Sequence, residues 1–370
     1  MDIPPERSRF LLSPDDPEVC PYCGCRPTGV WTDVYSDDHI FMEAIGGRKT
    51  IRVCKGCNDR CGGIFEAWNL RQTIIRLSIL LADAGVPISK KGLIWRNAVS
   101  TPDGQSYNLV LTENGVQTQS AKPLVRRDPD DPKVLNVTIN NDPESRKFLK
   151  QFSNPKKFAL EAATAGKPAR TQESSFTLDL NKMVGLTALK MAVAATTLVF
   201  PDEVSHFATA RLDLAGADEK SRVRSVVFDH RVHPSLDTIR DPLCHTIYVE
   251  EGHGIIHGVV QFFGCFQAYV TLSDKASRPY TNGFLATLDP TTGEERFGEI
   301  YRLGIDKWTG KDFADQLSPI RKFNSYARQR GAKSDVLNVS SVTGEDGVER
   351  KAKWSIPGVS WTGDIPGHGK

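Results

Sequence analysis

The chain has 370 residues, of which 39% are apolar and 25% charged. That is the make-up of a folded globular protein with room for two or three domains, and it excludes a fibrous or disordered chain. With 47 basic and 45 acidic side chains the net charge is +2, so the overall field is weak and any affinity for nucleic acid must come from local patches.

The opening stretch "MDIPPERSRFLLSPDDPE" has no apolar segment of signal-peptide length, so a cytoplasmic protein with reduced thiols is expected. Next comes Cys20-Pro21-Tyr22-Cys23, a C-x-x-C knuckle, and a second one, Cys54-Lys55-Gly56-Cys57, follows after thirty residues. Each tight bend offers two thiolates, and two bends make the closed four-sulfur site of a structural zinc ion. The gap is longer than a simple zinc ribbon needs, so a folded element is expected inside it. Cys25 and Cys61 lie just outside the frame, and Cys244 and Cys265 sit in apolar surroundings and read as core thiols.

Between the knuckles, "VWTDVYS" (30–36) alternates and is rich in β-branched and aromatic residues, which predicts a strand. Gly46-Gly47 signals a turn, and "KTIRV" (49–53) returns as a second strand. The segment after Cys57 has helical apolar spacing up to Gly85, with a break allowed at Gly62-Gly63. Asp38 and His39 then fall at the end of the first strand and Asn58 at the start of the helix. An Asp oxygen and an Asn carbonyl suit a hard divalent cation such as Mg²⁺ or Mn²⁺. A neutral histidine beside them is a base for an attacking water. Adjacent strand residues point to opposite faces, so only one of Asp37 and Asp38 reaches such an ion; Asp38, next to His39, is the expected ligand.

From Cys20 to about Glu66, "DDHIFMEAIGG…VCKGCN" resembles the HNH endonucleases, the ββα-metal or His-Me finger family, in particular its zinc-bearing members. The resemblance implies metal-dependent hydrolysis of nucleic-acid phosphodiester bonds, with DNA the expected substrate. It makes His39 the general base, Asp38 and Asn58 the ligands of the catalytic cation, and Cys20, Cys23, Cys54 and Cys57 the ligands of structural zinc. It also suggests a restriction or anti-phage effector. Two positions depart from the family pattern: Met42 stands where many members have proline, and Arg48-Lys49-Thr50 where many have an asparagine. Arg48, Lys49, Arg52, Lys55 and Arg60 supply a basic neighbourhood for phosphates. A non-catalytic zinc module that binds nucleic acid or protein is the alternative, and a zinc thiol sensor using Cys25 and Cys61 is a third reading.

Further along, "KGLIWRNAV" and "SYNLVLTENGVQTQSAKPLV" predict antiparallel strands with a turn at Asn114-Gly115. "DPDDPKVLNVTINND" adds a strand, "PESRKFLKQF" a short helix, and 162–175 has linker composition. The apolar run 183–200 carries Lys190 at its centre, which argues for a buried helix and against a membrane span. The strand-like runs at 222–228, 244–251, 254–273 and 298–305 complete an α+β domain with an antiparallel sheet. "RKFNSYARQRGAK" (321–333) reads as a basic helix that either grips a backbone or is simply solvated. His206, His230, His233, His245, His253 and His257 lack the spacing of a second metal site and are expected in the core or on the surface.

The expected organisation is thus a zinc-stapled nuclease module over 1–85 and a β-rich segment over 86–165. An α+β domain follows over 166–335, then a partly disordered tail over 336–370. The larger domain is expected to choose or restrain the target, and is the face open to a second copy or a regulatory partner.

Overall fold

A computed structural model of the chain describes residues 19–25, 35–62, 69–100, 106–121, 124–127, 135–138, 182–215, 225–228, 236, 239, 241–273, 275–305, 318–338, 341–343, 349–351, 353–356 and 359–361. Strand β1 (Tyr35–His39) pairs antiparallel with β2 (Thr50–Cys54), with Asp37 opposite Arg52, Asp38 opposite Ile51 and His39 opposite Thr50. Ile51 and Val53 are buried and alternate with half-exposed Thr50 and Arg52. The pleat therefore puts Asp38 on the inner face and Asp37 and His39 on the outer one. Of the strand expected at 30–36, Tyr35 and Ser36 belong to β1, and residues 30–34 lie outside the described residues.

The hairpin closes through a single 3₁₀ turn, Glu43–Ile45, and two glycines with different duties. Gly46 has φ +102°, where a side chain is strained, and a Cβ on Gly47 would come within 1.9 Å of the Phe41 carbonyl oxygen. Helix α1 (Lys55–Arg60) leaves β2 at once, with Cys54 as its N-cap residue. Helix α2 (Asn69–Asp83) ends before Gly85 at φ +103°, and residues 63–68 lie outside the described residues.

Strands β3 (Ile94–Ser100), β4 (Ser106–Thr112) and β5 (Gly115–Ser120) form a three-stranded antiparallel sheet against α2. Gly115 turns β4 into β5 at φ +94°, as the Asn-Gly pair predicts. Trp95 is buried beneath the Arg76 guanidinium, 5.6 Å from its ring centroid. β6 (Leu124–Arg127) and β7 (Leu135–Thr138) form a separate hairpin.

Helix α3 (Lys182–Val199) is the centre of the molecule. From Leu186 to Ala195 its side chains are buried on every face, because a large sheet covers one side and α2, β2 and α4 (Ala208–Ala215) the others. Thr196 and Thr197 satisfy their buried hydroxyls on the Ala192 and Val193 carbonyls at 2.7 and 2.8 Å. The sheet comprises β8 (Val226–Phe228), β9 (His245–Gly252), β10 (Ile255–Phe262), β11 (Phe266–Ser273), β12 (Asn282–Leu288) and β13 (Glu295–Tyr301). All six are antiparallel, in the order β13-β12-β9-β10-β11-β8. Among the described residues no helix is long and apolar enough to cross a membrane.

One connected apolar core runs from Tyr22 through α2 and α3 to Phe323 on α5 (Ser318–Gln329), so packing does not stop at residue 85. Within the tail, β14 (Ser341–Thr343) pairs with β15 (Glu349–Lys351), and β16 (Lys353–Ile356) with β17 (Val359–Trp361); most of the rest of 336–370 lies outside the described residues. The helix expected at 143–152 and the linker at 162–175 lie outside the described residues.

Glu250 fastens the end of β13 to the sheet. Its buried carboxylate accepts N–H bonds from Leu303, Gly304 and Ile305 at 2.8, 3.1 and 2.6 Å and the Tyr248 hydroxyl, and faces His257 Nε2 at 3.5 Å. Burial pushes its pKa up, but the hydrogen bonds outweigh that and hold it at about 2. A carboxylate depressed in this way stabilises the fold fully above its unfolded value near 4.5, and that stability is lost as pH falls toward about 2. Wild type should therefore lose about 3 kcal/mol more than Glu250→Gln across this range in urea titrations. An equal loss in both proteins would refute the assignment.

Candidate metal centre and hairpin face

The first knuckle is closed by its own backbone. Gly24 N–H donates to the Cys20 carbonyl at 2.8 Å and Cys20 N–H to the Cys25 carbonyl at 2.9 Å, with Gly24 at φ +73°. In the second, Cys54 ends β2 and Cys57 lies three residues on, within the first turn of α1. The four sulfurs of Cys20, Cys23, Cys54 and Cys57 lie within 4.8 Å of one another, the one such cluster among the described residues. Cys23 Sγ and Cys54 Sγ are 3.7 Å apart. That is too long for a disulfide, and it matches the edge of about 3.8 Å in a sulfur tetrahedron with zinc bonds of about 2.3 Å. Cys54 N–H also points at Cys20 Sγ, at 3.4 Å.

Four thiols this close cannot all ionise unaided. The hydrogen bond from Cys57 lowers Cys20 to about 5, and the same bond pushes Cys57 far up. Burial, with the Cys20 charge, raises Cys23 to about 12. The Cys20 thiolate thus holds back Cys23 and Cys57, and a divalent cation removes that conflict. The donor set fits structural zinc. Exposed Cys25 and buried Cys61 stay outside it, and Cys244 and Cys265 are buried.

Asp38, expected beside His39 as a ligand of a catalytic cation, faces away from the outer surface. Only 4% exposed, it receives the Tyr22 hydroxyl on Oδ2 at 2.8 Å and the Lys190 ammonium on Oδ1 at 2.7 Å. Burial and the Asp38 charge push the Tyr22 phenol well above its ordinary pKa, so it remains a donor. Asp37 is the outward acid of the pair: its side chain is 66% exposed and lies 3.8 Å from Arg52. Asn58, on α1, donates its Nδ2 to the Asp37 carbonyl at 3.2 Å, which draws the helix onto the strand that carries His39. His39 is half-buried on that outer face, with Thr50 directly opposite.

The five basic residues do not form one patch. Arg48 and Lys55 are exposed, but Arg48 and Lys49 both give their backbone N–H to the Glu295 carboxylate on β13, at 3.0 Å each. Arg52 belongs to the outer face with Asp37. Arg60 turns inward, to the Ala215 carbonyl and to Cys57 Sγ. On α5, Arg328 pairs with Asp335 at 2.6 Å, and Arg330, just beyond the helix, pairs with Asp289 at 3.0 Å.

The histidines form no second metal cluster among the described residues. His206 is exposed, His253 sits in the β9–β10 turn, and His257 faces Glu250. His245 is packed against Phe263, and its burial lowers its pKa to about 3. His230 and His233 lie outside the described residues.

Sequence reading missed the partners that reach the module from elsewhere: Tyr22, Lys190 and Arg211. Lys190 carried a signal, because a lysine in the middle of a fully apolar helix requires a buried carboxylate. The chain matches no protein family, no curated protein and no solved structure.

Because removing one partner strands a buried charge, Lys190→Met alone should lower unfolding free energy by about 3–5 kcal/mol. Combining it with Asp38→Leu should recover most of that loss. Urea denaturation checks both. A single variant as stable as wild type, or a double variant no better than the single, would show that the ion pair is not made.

Proposed function

We propose that the N-terminal hairpin and α1 form a metal-dependent endonuclease of HNH type, working on the outer face of the hairpin. The observation that carries the reading is the Asn58 Nδ2 bond to the Asp37 carbonyl, 3.2 Å long, which joins the helix to the strand two residues before His39. With its nitrogen on the strand, Asn58 keeps its amide oxygen for a hard cation, and Asp37 is the carboxylate on the same face as His39. We therefore assign the acidic ligand role to Asp37 and a structural role to Asp38. His39 takes the proton of the attacking water. When bound, Mg²⁺ or Mn²⁺ supplies charge to the scissile phosphate and the departing oxyanion. Thr50, opposite His39, is suited to hold the imidazole in place of the family's asparagine. Exposed Arg48 and Lys55 contact phosphate without reading sequence.

A second reading has one specific observation in its favour. Both Asp38 oxygens, the ones the family pattern assigns to the cation, are held by Tyr22 and Lys190. On that reading the module is a zinc-stapled scaffold that binds nucleic acid or protein without turnover.

Nicking of supercoiled plasmid by the purified full chain, with Mg²⁺ or Mn²⁺ and with EDTA, separates the two. The nuclease reading expects cation-dependent nicking, a loss of about 10²-fold or more in His39→Ala, and a comparable loss in Asp37→Ala. Zinc content should be unchanged in both variants. Wild-type rates in His39→Ala would overturn the base assignment. Loss in Asp38→Asn, with stability and zinc intact and Asp37→Ala active, would return the ligand role to Asp38. Magnesium-independent binding without any nicking would favour the scaffold.

A further inference from the structure

A divalent ion held by four thiolates carries a net charge of −2, and such a charge in a half-buried site requires compensation. Two arginines from different elements stand beside the cluster. Arg211, on α4, donates Nε to the Pro21 carbonyl inside the first knuckle at 3.2 Å. Its guanidinium lies so close to Gly24 that a Cβ there would come within 2.9 Å of Nη1. Nη2 of Arg211 is buried and has no hydrogen-bond partner among the described residues. Burial lowers the pKa of Arg211, while the charges of Cys20, Cys23 and Cys25 raise it, so the guanidinium stands within the field of the sulfurs.

Arg60 approaches from the other side. Its Nη2 points at Cys57 Sγ at 3.9 Å, and its Nη1 donates to the carbonyl of Ala215, the last residue of α4, at 3.4 Å. Its Nε is also buried without a partner among the described residues. The two side chains cross the same joint in opposite directions, Arg211 from α4 to the first knuckle and Arg60 from the second knuckle to α4. Neither makes an ion pair with a carboxylate among the described residues. Leaving guanidinium N–H groups buried and unpaired is costly unless a strong local charge faces them.

We infer that Arg60 and Arg211 are the counter-charges of the metal–thiolate centre, so that metal occupancy controls how firmly α4 docks on the N-terminal module. The centre is then a latch between the module and the main sheet, since α4 also packs on β11. With the ion bound, two negative charges face two guanidiniums. With the ion gone, nothing ties the two knuckles together, so the Pro21 carbonyl that Arg211 grips and the turn from which Arg60 reaches Ala215 are no longer held in place against α4. This inference rests on the four-sulfur cluster holding a divalent ion and is independent of the nuclease reading.

The test uses the full chain loaded with zinc or, for spectroscopy, with Co²⁺. A nearby positive charge lowers the energy of sulfur lone pairs, so Arg211→Met should move the thiolate-to-cobalt charge-transfer band to longer wavelength, and Arg211→Lys should restore most of it. Zinc transfer to a colorimetric chelator should be about 10-fold faster in Arg211→Met and faster again with Arg60→Met added. Hydrogen exchange of the amides at 208–215 should speed up when zinc is removed from wild type. Should Arg211→Met fail to fold, Arg60→Met carries the same measurements. An unmoved charge-transfer band and unchanged zinc transfer in the methionine variants would overturn the counter-charge role. Exchange at 208–215 that is the same with and without zinc would overturn the latch.

Discussion

Four sulfur atoms set the terms for the N-terminal part of this protein. Cys20 and Cys23 come from a loop that precedes the hairpin, and Cys54 and Cys57 from the junction of its second strand with a helix. Bringing them within bonding distance of one ion fixes the loop on the strand end and the first turn of the helix on the hairpin. A two-stranded hairpin is marginal alone. Here the clamp and the shared core supply what its few residues do not.

The same constraint reaches further than the cysteines. Tyr22 sits between two of them, and its hydroxyl lands on Asp38 because the knuckle holds it there. Asp38 in turn meets Lys190, on the helix about which the rest of the molecule packs. On the opposite side, Arg48 and Lys49, just after the Gly46-Gly47 turn, donate their backbone N–H groups to Glu295 at the sheet edge. The module is therefore wired to the main body through one buried ion pair, one carboxylate on backbone amides and two arginines at the sulfur cluster. A catalytic reading of the outer face depends on this wiring, since it decides which of two adjacent acids is available.

Local features were readable in the sequence because local physics decides them. The knuckles, the Gly46-Gly47 and Asn114-Gly115 turns and the apolar helix around Lys190 all follow from spacing, glycine and apolar runs. β12 escaped notice: "NGFLATL" (282–288) is short and sits between turn residues, and only pairing with β9 and β13 makes it a strand. α4 escaped too, because its stability comes from packing on α3 and β11 rather than from its own pattern. At the candidate site, alternation implied that Asp37 and Asp38 diverge, but not which of them is buried. That depended on Lys190, 152 residues away, and no local rule carries such a partner. The basic residues show the same limit, since their spacing in sequence did not foretell that Arg60 turns toward sulfur while Arg48 and Lys55 stay exposed.

The clamp is the premise of both the hairpin face and the arginine latch, and X-ray absorption at the zinc edge of the purified full chain examines it most directly. One zinc per chain with four sulfur neighbours at about 2.3 Å is the predicted result. A metal-free protein with these cysteines in disulfides, or a first shell containing nitrogen or oxygen in place of sulfur, would contradict it.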